Sequence, residues 1–141
     1  HQMRGTNRSD GVIFLDLNKF KKLNDSYGHE AGDEALVEIA AIMKRIFPSD
    51  DAVLARYGGD EFVIYLKDPE ESRLQALALQ LAKEIKVSFE NNPMRGLTAS
   101  VGSVYNKAEG HHLDALINAA DSCMYEAKKR GVPVYHLSLS S

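Results

Sequence analysis

Apolar positions along this chain switch between a two-residue and a 3.6-residue rhythm, and the switches divide it into nine elements. Gly11-Val-Ile-Phe-Leu-Asp16 is a short continuous apolar run ending in an acid. That pattern predicts a central buried strand whose last side chain emerges at the sheet edge. Asp16 thereby stands beyond the carboxyl end of a strand, where open sheets bind ligands. Apolar residues at 17, 20, 23 and 27 predict a short helix over 17–27, with Lys19, Lys21 and Lys22 forming a basic shoulder and Gly28 as the C-cap. A second helix opens at Gly32-Asp33, carries the stripe Leu36, Ile39, Ala40, Met43, Ile46 and Phe47, and ends at Pro48. Asp33 suits that N-terminus, where an acid favours the helix dipole and can cap free N–H groups.

The runs 51–57 and 62–66 read as two strands joined by Gly58-Gly59-Asp60-Glu61. Adjacent glycines allow positive φ and leave the backbone bare, so a bulky ligand can come close. Asp60 and Glu61 place two carboxylates at that spot, and like charges so near each other repel unless a cation sits between them. For oxygen ligands the natural cation is Mg²⁺ or Mn²⁺. An ordinary acidic turn is the alternative, because Gly and Asp are common turn residues. Downstream, Asp68-Pro-Glu-Glu71 supplies an N-cap, an N1 proline and first-turn acids. The third helix runs through Leu74, Leu77, Leu81, Ile85 and Phe89 to Asn91-Asn92-Pro93. Residues 97–105 alternate as a strand in which Ser100, Gly102 and Ser103 allow close approach by a neighbour. Leu113, Leu116, Ile117, Ala120, Met124 and Ala127 make a last helix with a cationic final turn and Gly131 at C′, and 132–139 closes the sheet.

The order β-α-α-β-β-α-β-α-β predicts an α+β fold: a mixed, mainly antiparallel central sheet with helices packed around it, in a ferredoxin-like arrangement. At 141 residues and 44% hydrophobic, the chain is one domain with a sizeable core. Seventeen basic against twenty acidic residues, net −3, argue against nucleic acid as a partner. Any polyanion site must be local. The lone Cys123 forms no internal disulfide and reads as buried filler. No run of about 18 apolar residues and no hydrophobic leader are present, which predicts a soluble domain that a larger membrane protein could carry, and the lone cysteine suits a reducing, cytoplasmic compartment. Residues 1–10 are polar and aperiodic and read as the remnant of a preceding segment, with the domain at 11–141.

A strand ending in Asp16 beside a hairpin ending in Asp60-Glu61 would bring three carboxylates together. That equips a two-metal phosphoryl-transfer site, where cations polarise the phosphate and activate a hydroxyl. No Ser-His-Asp or Cys-His arrangement is visible, and five scattered histidines lack zinc spacing.

Four motifs in order sharpen this reading. They are Phe14-Leu-Asp-Leu-Asn-Lys-Phe-Lys-Lys-Leu-Asn-Asp-Ser-Tyr-Gly-His-Glu-Ala-Gly-Asp33, Arg56-Tyr-Gly-Gly-Asp-Glu-Phe62, Ala99-Ser-Val-Gly102 and Ala120-Asp-Ser-Cys-Met-Tyr-Glu-Ala-Lys128. Together they resemble the GGDEF family of diguanylate cyclases, bacterial enzymes that join two GTP molecules into cyclic di-GMP. The resemblance covers roughly residues 11 to 131 and implies a nucleotidyl-cyclase, polymerase-palm-like architecture. It implies that Asp16 and Asp60 hold Mg²⁺ or Mn²⁺ with the Leu17 carbonyl, and that Glu61 is a further ligand or helps activate the 3′-hydroxyl. Asn24 and Asp33 match guanine readers: a carboxylate accepts from the paired N–H edge, and an amide serves the acceptor edge. Lys21 and Lys128 match phosphate-contacting positions, and Gly58 and Gly59 admit the substrate. For Lys128 the other reading is a solvated cation favouring a helix C-terminus.

The same resemblance implies a homodimer with one GTP per subunit and a sensory or membrane domain N-terminal to this one. Departures accompany it. Asn18 stands where relatives carry an acid. Val132 replaces an expected phosphate cation, with Arg130 or Lys129 as substitutes. Ser49 to Ala52 lacks the Arg-x-x-Asp of a product-inhibition site, and the family's opening Asp-x-Leu-Thr-Gly-x-x-Asn-Arg segment is missing, so the domain reads as N-terminally truncated. A catalytically silent GTP-binding module and a palm enzyme for another nucleotide are the alternative readings.

Overall fold

The computed structural model describes residues 8–47, 50–90, 96–108 and 110–139. Its elements are β1 (Asp10–Asn18), α1 (Phe20–Tyr27), α2 (His29–Ile46), β2 (Ala52–Arg56), β3 (Glu61–Lys67), α3 (Glu71–Glu90), β4 (Thr98–Asn106), α4 (Leu113–Arg130) and β5 (Val134–Leu139). This is the order that the periodicity predicts. The sheet order is β2-β3-β1-β4-β5, and every pair is antiparallel except β4 with β5. The α+β architecture with a mixed, mainly antiparallel sheet is therefore as expected.

β1 is central because both of its faces are apolar. Ile13, Leu15 and Leu17 pack with α1, α2 and α3 in the larger core. Val12 and Phe14 face the other way, into a smaller core with Leu116, Ala120, Cys123 and Met124 of α4. Burying each large apolar side chain contributes roughly 1.5–3 kcal/mol, and a one-residue slip would exchange the two faces. The register is thereby pinned, and Asp16 is held on the α4 side of the sheet. Burial pushes the Cys123 thiol up to about 11, helped by the Glu126 charge, so it is filler and not a nucleophile.

Several boundaries differ from expectation. β1 continues past Asp16 to Asn18, because β4 pairs alongside it as far as Asn18↔Thr98. Leu17 is thus a strand residue and not the start of a helix, and the chain breaks at Lys19, whose φ is 68°. Gly28, at φ 92°, ends α1 and begins α2 at once, so α2 starts at His29 and its first-turn acid is Glu30. Asp33 lies a full turn inside the helix and caps nothing. Asp68 does not cap α3 either: its φ is 53°, and its Oδ1 accepts from the N–H (3.1 Å) and the hydroxyl (3.4 Å) of Ser9. Ser9 is buried and Asp10 opens β1, so the folded unit takes in residues before Gly11. Pro48, Ser49 and Asn91-Asn92-Pro93 lie outside the described residues.

The fold also assembles a Ser-His-acid row that the spacing did not reveal. His136 Nδ1 lies 2.6 Å from Ser103 Oγ, and its Nε2 lies 2.7 Å from Glu71 Oε2. With the carboxylate accepting from Nε2–H, the neutral ring accepts the Ser103 hydroxyl at Nδ1. Ser103 is 0% exposed. No substrate reaches it, and the row is a clamp joining β4, β5 and α3.

Candidate active site

The hairpin turn between β2 and β3 is held by its own neighbours. The N–H groups of Tyr57 and Gly58 both donate to the Glu61 carbonyl, at 2.7 and 3.2 Å. Arg56 reaches back over the tip, its Nε donating to Gly58 O at 3.1 Å and its Nη2 to Gly59 O at 2.7 Å. Leu17 N–H donates to Asp60 O at 3.0 Å, which ties the turn to β1. Neither Gly58 nor Gly59 adopts a positive φ, contrary to the expectation for this turn. Gly58 is required for another reason: a Cβ there would lie 2.7 Å from Glu61 Oε1. At Gly59 a Cβ would meet nothing within 4 Å, so this point of the tip is bare as expected.

Glu61 pairs directly with Asp16 across β1 and β3. Paired residues share a face, so two carboxylates stand opposite each other on the α4 side. Asp16 is 9% exposed. Its Oδ2 accepts from Lys128 Nζ, and its Oδ1 is buried with no hydrogen-bond partner in the protein. Burial raises the Asp60 carboxyl above its usual range, and the Asp16 charge adds to this. Burial likewise raises Glu61, with the charges of Asp16, Asp60 and Asp121 adding in that order. Lys128 opposes both shifts. It is no solvated helix-end cation, because it neutralises Asp16.

The three acids are thus neighbours, yet among the described residues no group of three His, Cys, Asp or Glu side chains stands ready-made as a metal cage. The Lys128 ammonium already takes one oxygen of Asp16. The donor set itself fits a hard divalent cation: all oxygen, with one buried carboxylate oxygen unpartnered and two acids whose ionisation is resisted by burial and mutual repulsion.

The other candidate residues are distributed around this centre. Asn24 Oδ1 is buried without a partner against Gly32, where a Cβ would stand 1.8 Å from it. Asp33 lines an apolar cavity of about 490 Å³ between α2 and β2, with Leu36, Arg56 and Phe62 among its walls. Lys21 is exposed on α1. Arg130 is no substitute for a cation at Val132: it pairs with Glu126 at 2.6 Å and stacks over Tyr135 at 4.9 Å. Sequence reasoning left Arg56 and Asp121 without roles and read Gly32 only as the start of a helix. For Asp121 a signal existed, since it precedes Lys128 by two helical turns and so shares its face.

Comparison with known proteins agrees with this geometry. A family model described as "Diguanylate cyclase, GGDEF domain" matches residues 1–132. Cyclic di-GMP phosphodiesterase PdeR of Escherichia coli is 38% identical over 127 residues, covering 89% of this chain and 19% of that protein. Probable diguanylate cyclase DgcT of the same organism is 32% identical, covering 85% and 27%. The GGDEF domain of DgcB from Caulobacter crescentus, solved with c-di-GMP, superposes with a TM-score of 0.76 at 26% identity, covering 92% of this chain and 78% of that one. The chain spans about a fifth to a third of the length of these curated relatives. Among the described residues no helix is long and apolar enough to cross a membrane.

Proposed function

The chain belongs to the GGDEF family of diguanylate cyclase domains, and from that premise we propose that it condenses two GTP molecules into cyclic di-GMP across a homodimer. The observation that carries this reading is the pairing of Asp16 with Glu61 beside Asp60, with one buried oxygen of Asp16 left unpartnered. Asp16, Asp60, Glu61 and the Leu17 carbonyl would hold Mg²⁺ or Mn²⁺, which supplies charge neutralisation at the phosphates and acidifies the attacking hydroxyl. Glu61, raised by burial and by three neighbouring acids, is suited to accept the 3′-hydroxyl proton. The 3′-oxygen of one GTP then attacks the α-phosphorus of the GTP on the other subunit. A phosphodiester bond forms and pyrophosphate leaves. Each subunit contributes one GTP and one attack, so catalysis is mostly positioning.

Asp33 would accept from the guanine N1–H and N2 amino group at the mouth of its apolar slot, and Asn24 would serve the acceptor edge. Lys21 and Lys128 would meet the phosphates, beside a backbone left open at Gly58 and Gly59. Gly32→Ala separates Asn24's role from the fold. Alanine favours a helix interior by about 0.5–1 kcal/mol, yet its methyl group needs the space that Asn24 Oδ1 occupies. Titration with a fluorescent GTP analogue is expected to show about tenfold weaker binding with helicity retained. Unchanged affinity would remove Asn24 from the reader set.

Val132 and the homology to a phosphodiesterase favour a second reading, a catalytically silent GTP-binding module. Incubating the full-length protein with GTP and Mg²⁺ separates the two. Cyclic di-GMP and pyrophosphate are expected products, whereas bound GTP without product would establish the silent module. Ala52, which opens β2, offers no acid for product inhibition there.

A further inference from the structure

β5 pairs with β4 only from Val101 onward, leaving the Thr98–Ser100 edge of β4 uncovered between α3 and the end of α4. The space beside that edge is a cavity of about 820 Å³, the larger neighbour of the acid site, and Lys128 belongs to both. Its charged lining is Lys19, Lys83, Lys86 and Lys128, with no Asp or Glu among the lining residues. Lys128 is paired with Asp16, and three further unpaired positive charges around one cavity are out of keeping with a chain of net charge −3.

The acids nearest in sequence are committed elsewhere. Glu84, between Lys83 and Lys86, is held by Arg45 and by Gln80 on another side of α3. Asn18 is uncharged, and its amide donates to Thr98 Oγ1 and Ser100 Oγ, both at 3.0 Å, so the rim gains no negative charge there. Among the described residues Lys19, Lys83 and Lys86 form no ion pair. A cavity that gathers unpaired cations beside a phosphoryl-transfer site suits a polyphosphate.

We propose that Lys83 and Lys86 on α3, with Lys19, form the subsite for the β- and γ-phosphates of GTP and for the departing pyrophosphate, replacing the cation that Val132 lacks. This rests on the GTP reading above and extends it to Lys83 and Lys86, which lie outside the four motifs. Sequence reasoning looked for the substitute at Lys129 or Arg130. The fold supplies it from α3, because Arg130 is engaged by Glu126 and Tyr135 while Lys83 and Lys86 face the same cavity as Val132 and Lys128.

Inorganic pyrophosphate is the probe. Isothermal titration of the full-length protein is compared with that of a Lys83→Gln/Lys86→Gln variant; both lysines are exposed and Gln keeps the helix propensity, so folding is preserved. Loss of two screened contacts should weaken pyrophosphate binding by about tenfold or more. Adding Val132→Arg to the double variant should restore several-fold of it, roughly the return of one such contact. Equal affinities in the two proteins, or no binding to the unaltered one, overturn the subsite. Turnover is scored separately. Lysine-dependent pyrophosphate binding without cyclic di-GMP formation would sink the cyclase reading and leave the subsite standing, while cyclic di-GMP formation with lysine-independent binding does the reverse.

Discussion

Under the proposed reading, Asp60→Asn is expected to abolish cyclic di-GMP formation while making the metal-free domain more stable. The two effects have one cause. Asp60 is partly buried beside Asp16, and both burial and that neighbouring charge raise its carboxyl above the usual range. Removing the charge relieves repulsion in the folded state, and the turn survives because the bond from Leu17 N–H is to the Asp60 carbonyl. The relief is on the order of 1 kcal/mol, or roughly 2–5 °C in Tm for a domain of this size. Loss of a charged ligand from the transition state costs at least about 10²–10³-fold in turnover.

The pH dependence follows in sign. Asp60 and Glu61 both have folded-state values above their ordinary ones. The folded protein therefore keeps protons that the unfolded chain has released. Their contribution to stability is full below the ordinary carboxylate range and is lost as pH rises through the raised values. Metal-free protein should accordingly lose stability as pH climbs from that range toward neutrality, and Asp60→Asn should lose less. Added Mg²⁺ should reverse the loss, by about 2.7 kcal/mol at a hundred times its dissociation constant, and the variant should forgo most of that gain. Thermal unfolding with EDTA and with Mg²⁺ across pH 4–8 measures each arm. An equal Mg²⁺-dependent rise in both proteins would remove Asp60 from the metal ligands.

Gly102→Ala is expected to unfold the domain or leave it barely folded. A Cβ at Gly102 would stand 2.2 Å from the Ala120 carbonyl oxygen and 2.3 Å from the Met124 backbone nitrogen. Those are backbone atoms of α4, so no side-chain rotation makes room, and α4 has to move off the sheet. Gly102 pairs with Phe14 on the central strand, so β4 cannot shift without breaking that ladder. Overpacking a core costs about 1–3 kcal/mol and more when backbone must yield, a large share of the roughly 5–15 kcal/mol that holds a domain together. Displacing α4 would also withdraw Lys128 and Asp121 from the acids. Urea unfolding measures the effect, with Gly59→Ala as the control of near-native midpoint, because a Cβ there meets nothing. A Gly102→Ala midpoint matching the control would show that α4 does not press on β4 as described.

The strands and helices were legible because their apolar spacing is local. Val12 and Phe14 against Ile13 and Leu15 declare two faces within four residues, and Leu74 to Phe89 declares one stripe. Boundaries were not legible where distant partners decide them. β1 runs on to Asn18 because β4, some eighty residues later, pairs beside it. Asp68 turns to Ser9 instead of capping its helix. Asp33 fell inside α2 because Gly28 serves both helices, which residue types at 29–33 do not announce.

The candidate site divides the same way. The sequence by itself determined the acids Asp16, Asp60 and Glu61, their turn, and the family, since these are residue types at short fixed spacings. Only the tertiary structure decided that Glu61 lies opposite Asp16, that Lys128, 112 residues away, neutralises it, and that Arg56 clamps the tip. It also gathered Lys83 and Lys86 to the cavity that Lys19, Lys128 and Val132 line. The physical reason is that side-chain periodicity encodes which face a residue occupies, while strand register and helix packing determine which distant residue meets it there.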